Sequence, residues 1–266
     1  MVDEIAFWME DFDIDGIVFQ GWDKLPKEGQ DFMYQQIKAI NGVAVISDSE
    51  RRIVPQVHAD AQMNYTLYNW VDSIYQGKMT VEELKTRMQT THEQSGEVLP
   101  INFSSTLALN RHHGSYAVYF RRAYLGLTAF IHTSRGLSWM MGGQEIAISY
   151  GLTPDNHRPI NWNVKAHTNY YQSLFDFKLK NKALWPQNNT TLHFLDPQNE
   201  NVLVYKNKAI SYEQAGIFNM SPEQQEFKMT EHLMNLNEYQ TNKRIFIEKD
   251  RPIQLTPWQY IILGNN

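Results

Sequence analysis

Short β-rich runs alternate with helical stretches along the first 185 residues, and this rhythm restricts the chain to a parallel sheet flanked by helices. Residues 14–20, 43–47, 58–63, 99–103 and 137–141 read as strands. Residues 3–12, 28–40, 66–75, 81–93, 116–134 and 166–183 read as helices. The run over 43–47 is apolar throughout, as a strand covered on both faces must be. Thr80 and Glu83 form a capping box that starts the helix at 81. Beyond Trp185 the texture changes to short strands separated by turn residues, expected at 191–195, 202–205, 209–211, 216–220, 244–247 and 258–263. The sequence thus divides into a partial (β/α) unit over 1–187 and an all-β domain over 188–266.

Composition narrows the function classes. With 42% apolar and 13% aromatic residues the chain has material for a real core. Its net charge of -5 carries no basic patch, so nucleic acid is a poor partner and a neutral ligand suits it better. Cysteine is absent, which removes disulfide and thiolate chemistry. No run of eighteen apolar residues exists to span a membrane. The first residues are acidic where a signal peptide is basic, so the cytoplasm is the default compartment.

Some local patterns invite a chemical reading. Asp11, Asp13, Asp15 and Gly16 open like a calcium loop, but the twelfth position, where a bidentate Glu belongs, is Trp22. The reading is therefore an acidic loop entering a strand, with no metal site and no cofactor. His112 and His113, read as neighbours on an extended segment, cannot chelate one ion. Asn64–Tyr65–Thr66 has the form of a glycosylation acceptor. Trp22, just past a strand end, has two readings, a platform for stacking on a sugar or a core residue under the rim.

Larger segments carry a resemblance. Phe7–Trp8, then Asp15–Gly16, a strand and Pro26 resemble "FW…giDGfRxD…vP" of the alpha-amylase family. The run ending Ile46–Ser47–Asp48 is similar to the family's strand ending "GE". Asn102–Phe103–Ser104–Ser105 resembles "nFtsNHD", and Gly136 to Glu145 resembles "GiPliyyGqE". Ile160–Asn161–Trp162, Asn181 to Trp185 and Ile253 to Tyr260 resemble "pidW", "npALw" and "i.LpPye". These segments follow the family's order over nearly the whole chain.

The resemblance implies a (β/α)8 barrel with a C-terminal β-domain, acting on α-glucans. It also implies where the chemistry would sit, and there the chain departs from the pattern. Val18 stands at the Arg position and Gln20 at the nucleophile position. Asp48 occupies the acid/base position, and Thr106–Leu107–Ala108 replaces "NHD", with Ala108 at the third carboxylate. Retaining hydrolysis needs two carboxyl groups about 5–5.5 Å apart, and an amide cannot form the glycosyl ester. The chain is therefore expected to be catalytically degenerate and at most to bind an α-glucan or oligosaccharide, with Trp22 and Thr106 as substrate-binding candidates. One alternative is an active hydrolase in which Asp48 works with a carboxylate from a missing half or a partner chain. Another is a structural subunit that docks through the barrel edge.

The resemblance begins at the helix before the family's fourth strand, so five strands are expected where a closed barrel has eight. A missing N-terminal half would leave room for an export signal. Both sheet edges would be open, with inward side chains such as Ile17, Phe19, Trp139 and Met141 left wet, and self-association or a partner is expected to cover them.

Overall fold

A computed structural model describes residues 2–12, 14–41, 43–49, 58–93, 98–153, 158–186 and 188–265. Asp13, the middle acid of the calcium-like loop, lies outside the described residues. The first part of the chain is a five-stranded parallel sheet in sequential order: β1 (Gly16–Gln20), β2 (Ala44–Asp48), β3 (Ala61–Met63), β4 (Leu99–Phe103) and β5 (Leu137–Trp139). Around it run α1 (Val2–Phe12), α2 (Lys27–Asn41), α3 (Tyr65–Tyr75), α4 (Val81–Glu93), α5 (Leu107–His113), α6 (Tyr116–Phe120), α7 (Tyr124–Thr133) and α8 (Thr168–Lys180).

Local chemistry accounts for these helices. Ile5 and Met9, one turn apart, seat α1 in a cluster with Met33 and Ile37 of α2. Thr80 and Glu83 exchange the bonds of a capping box, with Glu83 N–H donating to Thr80 Oγ1 (3.2 Å) and Thr80 N–H to the Glu83 carboxylate (2.8 Å). Those bonds to Thr80 lower the Glu83 pKa. Asn64 caps α3, its Oδ1 accepting from Leu67 N–H at 3.1 Å. The helix expected over 116–134 is broken into α6 and α7 by a 3-10 turn at Arg121–Ala123, where Arg121 has φ 47°.

Strand β1 divides its side chains between two environments. Ile17 and Phe19 are half-buried against the α1–α2 cluster, while Val18 and Gln20 alternate to the other face and are exposed. This corrects the expectation that Ile17 and Phe19 are wet. The exposed apolar side chains of the two edge strands are Val18, Leu137 and Trp139, at 43%, 38% and 41%, and Met141 is half-buried beyond β5.

The second part is antiparallel. Its six-stranded sheet runs β11-β10-β13-β8-β7-β6, built from β6 (Thr191–Phe194), β7 (Val202–Ala209), β8 (Tyr212–Asn219), β10 (Leu233–Glu238), β11 (Arg244–Ile247) and β13 (Tyr260–Gly264). A two-stranded ribbon pairs β9 (Gln225–Phe227) with β12 (Ile253–Leu255). Of residues 209–211, expected as a strand, Ala209 ends β7 while Ile210 and Ser211 turn the β7–β8 hairpin, which pairs in register from Val202↔Asn219 to Ala209↔Tyr212.

One hydrophobic core joins the two parts. Phe130 of α7 meets Tyr205 and Phe218 edge-on, with centroids at 6.2 and 5.4 Å, and those two rings stack on each other at 6.0 Å. Asn181, fully buried after α8, accepts from Ala183 N–H (3.0 Å) and donates to the carbonyls of Glu213 (2.9 Å) and Asn265 (3.0 Å). Every polar edge of that buried amide is therefore satisfied, which removes the penalty of burying it. Among the described residues no helix is long and apolar enough to cross a membrane.

Candidate functional site

The strands of a parallel sheet deliver their last residues to one edge, where βα barrels collect reacting groups. Here β1 ends on Gln20 and β2 on Asp48, and the register pairs Val18 with Ile46 and Gln20 with Asp48. Residues paired across parallel strands project to the same face, and neighbouring strands lie about 4.8 Å apart. Gln20 and Asp48 are therefore side by side on the face turned away from α1 and α2. Val18 lies two residues back on that same face.

Asp48 is half-buried, and its Oδ1 accepts from the Tyr65 hydroxyl at 3.2 Å. Tyr65 is the first residue of α3, and its ring meets Phe103 at the end of β4 edge-on at 4.8 Å. Sequence reasoning missed Tyr65. The only local signal was its position one residue after the Asn64 cap, inside a triplet that had been read as a glycosylation acceptor. That Asn64 is committed twice: it caps α3, and its Nδ2 donates to Asn102 Oδ1 at 2.9 Å. Asn102, fully buried on β4, passes the connection on by donating to the carbonyls of Ser134 (3.2 Å) and Arg135 (3.1 Å) ahead of β5.

Past β4, Ser104, Ser105 and Thr106 are all buried. The Thr106 hydroxyl accepts from Leu109 N–H at 3.2 Å and so serves as the N-cap of α5. Ala108 is exposed in the first turn of α5 and presents only a methyl group. His112 and His113 lie in the last turn of that helix, not on an extended segment as expected. Their rings are edge-on at 4.5 Å, and among the described residues no three His, Asp or Glu side chains are grouped to hold a metal ion.

Gln144, within the segment resembling "GqE", braces the same edge. Its Nε2 donates to Ser104 Oγ at 2.8 Å and its Oε1 accepts from Met141 N–H at 2.9 Å. The Tyr124 hydroxyl bonds to the Gln144 carbonyl (2.9 Å) and to the Tyr171 hydroxyl (2.8 Å). Burial raises both phenols, Tyr171 to about 12, so they remain neutral hydrogen-bonding groups.

Of the two readings of Trp22, the structure gives the core. The side chain is 1% exposed, its ring lies 4.6 Å from that of Phe19, and its Nε1–H donates to the His58 carbonyl at 3.2 Å. Such a ring offers no face to a sugar. At the paired ends of β1 and β2 the chain thus presents one carboxyl group beside a neutral amide, with a phenol bonded to the carboxylate.

No family model matches the chain, and no curated protein sequence does. Solved structures are similar along its whole length. A maltogenic alpha-amylase from Thermotoga neapolitana superposes with a TM-score of 0.77 at 18% identity, over 99% of this chain and 64% of that one. An alpha-amylase from Anoxybacillus gives 0.77 at 17% identity, over 99% and 61%. An alpha-amylase from Geobacillus thermoleovorans, solved with acarbose, gives 0.76 at 15% identity, over 99% and 62%. The chain thus spans somewhat less than two thirds of the length of these relatives. What it shares with them, from the parallel sheet through the β-domain, is the alpha-amylase-family fold.

Proposed function

We propose that the chain is a catalytically degenerate alpha-amylase-type protein that binds α-glucan at the ends of its parallel strands without hydrolysing it. The supporting observation is the register pair Gln20↔Asp48, an amide beside a single carboxyl group. Displacement at an anomeric carbon needs a nucleophile that can carry the sugar as an ester, and an amide side chain does not do so. Val18 supplies no guanidinium to hold a carboxylate ionised, and Ala108 supplies no third acid. Asp48, Tyr65 and Gln20 carry a carboxyl, a phenol and an amide, the kinds of group that bond sugar hydroxyls. The chain is divided at residues 187 and 188 into the unit that carries this site and the β-domain.

Starch, pullulan and aryl α-glucosides are expected to remain intact above background hydrolysis. Gln20→Asp alone is not expected to restore turnover, because groups that act as a unit are not rescued singly. A covalent glycosyl adduct trapped on the chain would overturn the reading.

A second proposal concerns association. In the sheet order β1 and β5 each have a neighbour on one side only, and their exposed apolar residues are Val18, Leu137 and Trp139. Open strand edges and wet apolar surface both favour pairing, the surface by about 25 cal/mol per Å² removed from water. A dimer or larger assembly is expected by light scattering. A monomer stable at high micromolar concentration, with ordinary thermal unfolding, would contradict it.

A further inference from the structure

A cavity of about 400 Å³ opens where the Arg121–Ala123 turn and the start of α7 meet β10, β13 and the turn before β13. None of its lining residues belongs to the strand ends that carry Gln20 and Asp48. Its volume falls within the roughly 300–1,000 Å³ of small-molecule sites.

Trp258, whose ring is buried in the core, lines one wall and is held at φ 60°, a left-handed conformation that bulky residues rarely adopt. Gly126 allows α7 to press against it, since a Cβ there would lie 2.2 Å from the Trp258 carbonyl oxygen. Two half-buried rings, Tyr239 and Tyr260, also line the cavity, with their hydroxyls 3.1 Å apart.

The rim holds unspent polar capacity of both kinds. The exposed Arg122 guanidinium makes no hydrogen bond or ion pair among the described residues. Gln259 uses its Oε1 on Thr256 N–H (2.8 Å) and Thr256 Oγ1 (3.0 Å), which leaves its amide hydrogens to donate. The Glu238 carboxylate accepts from Gln240 N–H (3.1 Å), Thr241 N–H (2.8 Å) and Thr241 Oγ1 (2.8 Å), and retains a lone pair on the oxygen facing Gln240. Half-buried tyrosine rings beside donors and an acceptor suit a pyranose, whose C–H faces are apolar and whose hydroxyls both give and take hydrogen bonds. The opposite charges of Arg122 and Glu238 favour a ligand with no net charge.

We propose that this cavity is a second saccharide site, separate from the strand ends, for a short neutral oligosaccharide. The choice of an α-1,4-linked glucan as its ligand rests on the reading of the fold given above. The full chain would be titrated calorimetrically with maltotriose as wild type and as Arg122→Ala, Gln259→Ala and Asp48→Asn. The first two side chains are exposed, and equal melting temperatures would establish that the variants fold. Two classes of site are expected in the wild type; Arg122→Ala and Gln259→Ala each weaken one of them about tenfold, as the loss of one hydrogen bond would, and Asp48→Asn weakens only the other. If only Asp48→Asn weakens binding, the cavity proposal falls and the strand-end reading stands. If only the cavity variants weaken it, the cavity is supported and the strand-end reading falls. Absence of binding in the wild type at millimolar maltotriose would overturn both.

Discussion

Lys178 shows how far a single buried group governs stability. Its ammonium is enclosed beside α7, donates to the Ser134 carbonyl at 3.2 Å, and is pulled by burial to a pKa of about 7. In the unfolded chain the same group titrates near 10.5. Between those values the unfolded state holds the extra proton, so the contribution to stability rises with pH across that window. Below pH 7 the native state carries the full cost of a buried cation. Lys178→Met is therefore expected to raise the melting temperature, by about 1–2 kcal/mol of stability at pH 6 and by little at pH 10, read by thermal scans at both pH values. The Ser134 carbonyl is not orphaned, because Asn102 Nδ2 still donates to it. His132, fully buried and bonded through Nδ1 to Ser138 Oγ at 3.2 Å, is lowered to about 3 by burial and then by Lys178. It resists protonation in the fold, and so acts against stability as pH falls from 6.5 towards 3.

At the scale of elements, legibility followed how local the determinants are. Helices α1, α2, α3, α4 and α8 announce themselves by apolar spacing and caps, and the five parallel strands by apolar runs. Helix α5 was missed because it is short and depends on the Thr106 cap and the turn at Gly114. Strands β9, β10 and β12 were missed because polar sequences such as Gln225–Phe227 become strands only by pairing with distant partners. The same division applies to the site. The positions of Val18, Gln20 and Asp48 on β1 and β2 were readable because a resemblance fixed those strands. The Asp48–Tyr65 and Ser104–Gln144 contacts cross between elements and leave no spacing to read. The β7–β8 hairpin turn holds a local conflict: Ile210 is 99% exposed at φ 47°, a conformation costly for a β-branched side chain and acceptable to Asn. Ile210→Asn is expected to stabilise the chain by about 1 kcal/mol in chemical denaturation. A lower denaturation midpoint would show that the hairpin does not feel the strain.

Across the whole molecule, one core runs from the rings of α3 and α7 into the β-domain sheet, and a second cluster seals β1 and β2 to α1 and α2. Neither draws on Val18 or Gln20, which point away from the packed layer. On the reading proposed above, folding and chemistry thus fall to alternate residues of a single strand. A lineage that exchanges those exposed positions forfeits chemistry without a penalty in stability, so selection for a soluble, folded product is blind to the loss. A superposition, which follows the packed layer, is equally insensitive to those exposed positions.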